Sequence, residues 1–474
     1  MSMPPLVVDL DGTLLRTDLL LESGLVFIRQ HPLQAWKPLQ WLARGKAELK
    51  SGLAQAVALD VTSLPYDHRV ITLIKEEKAK GRTVILATAS HRSYADAIAA
   101  HLGLFDRVLA TDAGRNLSAH AKRDALVSEF GEKGFDYAGN SRDDLPVWAA
   151  AQHAYVVSSE SGVEAQVKKL GNVTQVLPAE GGSFRTWAKA LRLHQWLKNL
   201  LIFVPLLASH QFLQPGLLLN GLLAFVFFGI CASSVYMLND LLDLADDRQH
   251  PSKCQRPFAS GQLSIQAGLL AFPVLLTVAF AGALCVLPAS FVLAMAVYYA
   301  MTLLYSFFLK RLMALDVIML ALLYTSRIVA GTFAFGVKLT FWMLAFSMFM
   351  FLSLALVKRY AELRTARLNG KTEKSLGRGY YPDDLAMISS MGTASGYLAV
   401  MVLALYIQDQ STVELYHHPH IIWLACPLLL FWVTRTWLLT HRGEMHDDPV
   451  VFAIKDRVSL LVGALFGLIF WLAV

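Results

Sequence analysis

Charge is scarce in this chain. Of its 474 residues only 16% are Asp, Glu, Lys or Arg, whereas 55% are hydrophobic, and the mean hydropathy is +0.46. Soluble domains carry nearer to about a quarter charged residues, which argues against a wholly soluble protein. It argues equally against disorder, which needs abundant charge and few apolar side chains. Cysteine is scarce as well. Cys231, Cys254, Cys285 and Cys426 show no CxxC or Cys/His spacing and three of them lie in apolar runs, so neither a disulfide framework nor a zinc site is suggested. The opening MSMPPLVVDLDGT lacks a basic stretch and a long apolar core, unlike a signal peptide. The net charge of +6 is modest and its positives cluster beside apolar segments, which favours a membrane over nucleic acid as the partner.

What charge there is falls unevenly. Residues 1–198 hold 24 of the 42 Lys and Arg and 21 of the 36 Asp and Glu, as in an ordinary soluble domain. In that part, β-branched runs at Leu6–Val8, Thr83–Leu86, Val108–Ala110, Phe135–Tyr137 and Tyr155–Val157 alternate with amphipathic stretches such as Arg69–Lys80 and Ala121–Phe130. That alternation predicts an α/β domain with a parallel sheet covered by helices, over residues 1–177. Residues 17–66 interrupt it with helix-like sequence and read as a helical cap. Pro, Gly and Ser mark residues 178–190 as a linker.

From there to residue 474 the chain reads as an all-α polytopic membrane domain, 191–474. Nine apolar runs, the first and sixth of them short so that eight is the alternative count, approach the roughly 20 residues a span needs: 196–212, 217–238, 266–287, 289–309, 312–336, 341–357, 392–408, 420–440 and 449–474. With the first domain cytoplasmic, inward loops hold Arg248, Lys253, Arg256, Lys310, Arg311, seven basic residues from Lys358 to Arg378, and Arg442, against Lys338 alone outside. This is the positive-inside asymmetry. It predicts an integral, multi-pass protein of the cell (inner) membrane with its first domain in the cytoplasm, and nine spans would put the C-terminus on the opposite side.

Two places concentrate chemistry. A strand runs into Asp9-Leu10-Asp11-Gly12-Thr13, so Asp9 and Asp11 project the same way where it leaves the sheet, the edge at which parallel sheets bind ligands. One carboxylate there suits attack on phosphorus and the other proton transfer. A second strand ends in Thr88, Lys122 opens a helix, and Gly139-Asn140-Ser141-Arg142-Asp143-Asp144 follows another strand. This ordered set resembles the haloacid dehalogenase (HAD) superfamily of phosphatases. The resemblance implies Asp9 as nucleophile, Asp11 as acid/base, Thr88 and Lys122 on the transferred phosphoryl group, and Mg²⁺ held by Asp9, Asp144 and the backbone carbonyl of Asp11. The family's usual Gly-Asp is here Gly139-Asn140, which brings no charge and lowers the expected Mg²⁺ affinity.

The second place follows directly on an apolar run: Asn239-Asp240-Leu241-Leu242-Asp243-Leu244-Ala245-Asp246-Asp247. Helical spacing stacks Asn239, Asp243 and Asp247 at i, i+4, i+8 with Asp240 close by. Like charges so arranged repel unless a divalent cation sits among them, and Mg²⁺ prefers few carboxylates plus substrate phosphate oxygens. NDxxDxxxD followed by Arg256-Pro257-Phe258-Ala259-Ser260-Gly261 resembles the UbiA superfamily of intramembrane prenyltransferases. The second acidic motif of that superfamily is not plainly present, and only Asp383 and Asp384 can take its place. Within the superfamily, RLHQWLKN at 192–199, Tyr305–Lys310 with Asp316, KRYAEL at 358–363, Arg378-Gly379-Tyr380 and His446-Asp447-Asp448-Pro449 look like the decaprenyl-phosphate phosphoribosyltransferase branch.

That resemblance implies transfer of phosphoribose from phosphoribosyl pyrophosphate (PRPP) to a polyprenyl phosphate. Asn239, Asp240, Asp243, Asp247 and Asp384 would serve Mg²⁺ and diphosphate, and Lys198, Lys253, Arg256, Lys310, Lys358, Arg359 and Tyr380 would bind phosphates. The cytoplasmic HAD domain would then dephosphorylate the product or a related ester. Arg327, inside an apolar run, is expected either to face the cavity or to pair with Asp316 or another acid. His417, His418 and His420 have only Glu414 nearby in an outward loop and are read as bland. Two other readings are a prenyl diphosphate donor with an aromatic acceptor, and, from another class, a transporter with a regulatory HAD-like domain.

Overall fold

A computed structural model describes residues 3–474 except 113–116, 158–159, 179–181, 212, 251, 371–378, 410–415 and 446–447. Arg378, Glu414, His446 and Asp447 therefore lie outside the described residues.

The chain divides into two compact units, residues 1–191 with 236–273, and residues 192–235 with 274–474. In the first, β1 (Leu6–Val8), β2 (Val84–His91), β3 (Arg107–Thr111), β4 (Asp136–Gly139), β5 (Ala154–Val157) and β6 (Val173–Leu177) form one sheet of order β3-β2-β1-β4-β5-β6. Every pairing is parallel, with Leu6 opposite both Val84 and Asp136. Successive strand residues face opposite sides, and the core follows. Leu6, Val8, Val84 and Leu86 pack with Val70, Ile74 and Ile98 on one face, while Val7, Ile85 and Ala87 pack with Leu126, Tyr137 and Trp148 on the other. The five expected strands are present, each within a few residues of its reading. β6 was not expected, because its VTQVL is a half-exposed edge without a clean apolar alternation.

The interruption after β1 is helical, as α1 (Leu19–Gln30), α2 (Lys37–Ala43) and α3 (Lys46–Ala56). Phe27, Leu49, Leu53 and Val57 give this cap a small core of its own, edged by Trp41 against Phe27. Asp18 starts α1 by accepting from Leu20 and Leu21 N–H, the bond an N-cap supplies. The remaining helices α4 (His68–Ala79), α5 (Arg92–Leu102), α6 (Ala119–Phe130), α7 (Leu145–Ala150) and α8 (Val163–Lys168) connect the strands. The stretch expected as linker contains a further short helix, α9 (Phe184–Ala190), opened by Ser183.

Beyond it, seven helices among the described residues are long and apolar enough to cross a membrane. They are Pro215–Leu242, Ile265–Val286, Ala289–Phe307, Leu315–Phe335, Phe341–Leu368, Pro382–Ile407 and Pro419–Arg442. Pro449–Lys455 and Arg457–Ala473, bent by 82° at their break, make an eighth if counted as one span. Nine is approximate, and the first run is the shorter apolar helix Leu193–Ala208, largely wound as a 3₁₀ helix over Leu193–Phe203. With seven or eight spans the parity that placed the C-terminus no longer follows.

Candidate active site

The β1/β4 boundary is where the strand order turns from one direction to the other, and ligands of parallel sheets gather outside the carboxyl ends there. Asp9 follows β1 at this place and is buried. Its Oδ1 lies 2.6 Å from Lys122 Nζ, and Oδ2 accepts from Thr13 Oγ1 at 3.4 Å. Lys122 Nζ also meets Tyr137 Oη at 2.9 Å and Asp144 Oδ1 at 3.5 Å. Tyr137 Oη donates to the same Asp144 oxygen at 2.6 Å. The other Asp144 oxygen accepts from Asn140 N and Ser141 N at 3.0 and 3.1 Å. Thus β1, β4, α6 and the turn after β4 hold Asp9, Lys122 and Asp144 in one bonded set.

Asp11 is set apart from that group. Its Oδ1 accepts from Leu19 N at 2.8 Å, and its Oδ2 from Ser90 Oγ at 2.6 Å and Thr88 Oγ1 at 3.4 Å. Burial, with Asp144 and Asp11 adding, pushes the Asp9 carboxyl up to about 7 against the pull of Lys122. Burial, aided by Asp18, pushes Asp11 up to about 6. Burial would lower the Lys122 ammonium, but Asp9 and Asp144 outweigh it and hold it above its ordinary range. Burial thus raises both carboxyls toward neutral pH; what distinguishes them is their partners, a lysine at Asp9 and hydroxyl and backbone N–H donors at Asp11, an arrangement that suits a nucleophile and an acid/base.

Two features escaped the sequence. Tyr137 and Ser90, on β4 and β2, hold the lysine and the acid, yet nothing in strand periodicity marks a strand hydroxyl as a partner for a residue 15 or 79 positions away. Lys50, on cap helix α3, donates to the Ala89 carbonyl at 2.7 Å, and burial draws its ammonium down against Asp11 and Asp18.

The acidic motif is placed at the end of helix Pro215–Leu242 and on the short helix Leu244–Gln249. The register continues across the break, with Asp243 N bonded to the Asn239 carbonyl at 2.9 Å and Asp247 N to the Asp243 carbonyl at 2.8 Å. The side chains nevertheless resolve into two pairs rather than one stack. Arg256 Nη1 binds Asp240 Oδ1 at 3.1 Å and Asp247 Oδ2 at 2.5 Å, and both acids are almost fully buried. Asp243 and Asp246 instead share Arg29, at 3.3 and 2.5 Å. Burial, with Asp240 adding, raises the Asp247 carboxyl against Arg256. Asn239 and Lys253 are half-buried.

The second unit arranges its own charges. Lys198 Nζ lies 2.7 Å and Lys358 Nζ 3.3 Å from Asp448 Oδ2, and Tyr324 Oη donates to Asp448 Oδ1 at 3.0 Å. Burial would raise Asp448, but the two ammonium groups hold it far below the carboxylate range. Arg359 is buried on Asp316 at 2.7 Å and also pairs with Glu362. Tyr380 Oη donates to the other Asp316 oxygen at 2.6 Å. Lys358 and Arg359 belong to helix Phe341–Leu368 and not to the loop in which the sequence put them. Lys310 is half-buried at the turn Leu309–Arg311. Asp384 accepts from Tyr381 N at 2.8 Å, capping the helix that follows, and Asp383 is exposed. Arg327 is buried, donates to Asn199 Oδ1 and Tyr298 Oη, both at 3.1 Å, and lies over the Tyr298 ring.

Among the described residues no three His, Cys, Asp or Glu side chains cluster as a metal cage. Mg²⁺ needs none, since one or two carboxylates with waters and phosphate oxygens satisfy it. Asp9 and Asp144 fit that demand: two buried carboxylates share a single ammonium. Asp240 and Asp247, sharing one guanidinium, fit in the same way.

A parallel sheet with paired carboxylates at its strand ends, joined to a bundle of apolar helices one of which ends in paired buried acids, is the layout of a membrane protein carrying a separate α/β domain. The chain belongs to the UbiA prenyltransferase family, whose model matches residues 200–460, and residues 6–149 match the haloacid dehalogenase-like hydrolase model. Uncharacterized protein y4nM of Sinorhizobium fredii is 38% identical over 471 residues, 99% of this chain and 91% of that protein. Nodulation protein NoeC of Azorhizobium caulinodans is 37% identical over 60% of this chain and 93% of its own length. Decaprenyl-phosphate phosphoribosyltransferase of Mycobacterium tuberculosis is 29% identical over 58% of this chain and 89% of its own length.

Proposed function

We propose that the chain transfers phosphoribose from PRPP to a polyprenyl phosphate and that its HAD domain removes a phosphate from the product. The observation that carries the first half is the buried pair Asp240 and Asp247 bridged by Arg256 where an apolar helix ends. The name of the mycobacterial relative, decaprenyl-phosphate phosphoribosyltransferase, supports the transferred group and the acceptor class. An acceptor phosphate oxygen attacks the anomeric carbon, the bond from that carbon to the diphosphate oxygen breaks, and diphosphate departs with both bonding electrons. Asn239, Asp240, Asp243 and Asp247 would hold Mg²⁺, which would supply charge to stabilise the departing diphosphate, and Lys253 and Arg256 bind phosphate oxygens beside them. Lys198, Lys310 and Lys358 are assigned to phosphate groups of donor and acceptor. Arg359 and Tyr380 serve through the orientation of Asp316, and Asp384 as a helix cap.

The product carries a phosphate monoester, the bond a HAD phosphatase cleaves. Asp9 Oδ attacks that phosphorus while Lys122 and Thr88 hold the phosphoryl oxygens. Asp11 gives its proton to the leaving alcohol and then takes one from the water that releases the aspartyl phosphate. The basic residues on the loops flanking the acidic motif support a cytoplasmic position for both reactions.

Membranes containing the protein, given labelled PRPP, a polyprenyl phosphate and Mg²⁺, should yield lipid-linked ribose. Asp240→Asn should reduce it by at least a hundredfold, and Asp9→Asn should accumulate the phosphorylated lipid. Consumption of a prenyl diphosphate with an aromatic acceptor instead would replace this reading with the other UbiA chemistry.

A further inference from the structure

The acidic motif is gripped from outside its own helix. Arg29, near the C-terminal end of α1, sets Nη2 2.5 Å from Asp246 Oδ2 and 3.3 Å from Asp243 Oδ1. Its Nη1 donates to the Leu242 carbonyl at 3.3 Å, closing the last turn of Pro215–Leu242. Seven residues earlier on α1, Glu22 accepts from both terminal nitrogens of Arg248, in a pair whose side chains are 3% and 4% exposed. Positions i and i+7 share a helix side, so one face of α1 meets the backbone and side chains of 242–248. The opposite end of α1 is tied to the phosphatase acid, because Leu19 N donates to Asp11 Oδ1 at 2.8 Å.

Carboxylates so close repel, and two guanidinium groups offset them, Arg256 from the same loop and Arg29 from the HAD cap. A divalent cation brings a similar charge to the same oxygens, and one oxygen lone pair cannot serve both. We propose that Arg29 is a tethered counter-cation of the acidic motif that competes with a divalent metal for Asp243, so that loading the motif frees the C-terminal end of α1. The inference rests on the acidic motif being the metal–diphosphate site proposed above. It adds that the HAD cap sets the affinity of that site and senses its occupancy along roughly 18 Å of helix. By linkage the dependence runs both ways.

The test uses the full chain in lipid nanodiscs, with Asp9→Asn and Asp144→Asn as background so that the phosphatase carboxylates do not respond. Mn²⁺ binding is followed by electron paramagnetic resonance. Arg29→Gln should bind Mn²⁺ at least threefold tighter than the background, Arg29→Lys should stay within twofold of it, and Asp240→Asn should lose the signal. Saturating Mn²⁺ should speed amide exchange over residues 19–30 at least threefold when Arg29 is present, and leave it unchanged in Arg29→Gln. Unchanged or weaker Mn²⁺ binding by Arg29→Gln, binding indifferent to Asp240→Asn, or exchange in α1 indifferent to Mn²⁺ overturns the inference. Neither readout involves PRPP or a lipid acceptor. A chain that passes here yet makes no lipid-linked ribose sinks the transfer chemistry alone.

Discussion

Asn140 stands at the turn after β4 where a second acid would bring charge to the phosphatase site. Its Oδ1 accepts from Thr13 Oγ1 at 3.3 Å, and its backbone N–H is held by Asp144, so the amide is already oriented toward the carboxylates. Asn140→Asp adds an anion without adding volume, and electrostatics then favour Mg²⁺. The Mg²⁺ concentration for half-maximal hydrolysis of an aryl phosphate should fall by about tenfold, roughly 1.4 kcal/mol. An unchanged value would place Asn140 away from the metal. Opposite it, Gly12 has φ +75°, and a Cβ there would lie 2.1 Å from Asn140 Nδ2. Gly12→Ala combines that collision with left-handed strain, and should cost at least about 1–3 kcal/mol of domain stability, read as a lowered first thermal transition. Asp9, Asp11, Thr88, Lys122 and Asp144 were legible because strand ends and sequence order announce them. Tyr137, Ser90 and Lys50 were not, since their roles arise only from the parallel pairing and the folded cap.

At the scale of elements, caps and ion pairs decide where helices begin and stop. Asp67 opens α4 by accepting from Arg69 N at 3.0 Å, and its carboxylate also meets the Arg16 and Arg69 guanidinium groups at 3.3 and 2.6 Å. Burial would raise this carboxyl, but Arg69 and Arg16 override it and hold it at about 2. A carboxyl depressed in the folded state stabilises above its ordinary range near 4, and that contribution fades as pH falls toward 2. Asp67→Ala should therefore lower the first thermal transition at pH 7 by an amount equivalent to about 1–2 kcal/mol, and by clearly less at pH 3. An equal loss at both values would assign the effect to packing alone. The same logic explains where the sequence misjudged the membrane helices. Phe341–Leu368 runs through Lys358 and Arg359, because Asp448 and Asp316 meet those charges and no exit to water is required. Hydropathy sees the two cations as the end of a span; only the folded bundle supplies their partners. Leu193–Ala208 makes the count approximate for the converse reason, an apolar run shorter than a full span.

At the scale of the molecule, composition divided the chain at about residue 198, but the contacts do not divide there. Residues 236–273 cluster with 1–191, although they include the end of one apolar helix and the start of the next and carry the acidic motif. Hydropathy could mark this loop as lying outside the apolar runs and could not say what covers it. Ion pairs do so: Glu22 holds Arg248 and Arg29 holds Asp243 and Asp246, while Gln249 reaches Asp60 at 3.1 Å. Breaking a buried pair by removing one partner leaves an uncompensated charge, at a cost of about 3–5 kcal/mol. That exceeds the free energy with which many loops resist local opening. A chain lacking residues 1–191 should accordingly expose Arg248, Lys253 and Arg256 to trypsin, with cleavage at these sites at least tenfold faster than in the intact protein and mapped by mass spectrometry. In the intact protein, Glu22→Gln should produce a smaller acceleration at the same sites, whereas Asp9→Asn should produce none. Equal cleavage with and without the first 191 residues would mean that the loop keeps its fold through the membrane helices alone, and that the HAD domain is cargo on the transferase instead of part of its structure.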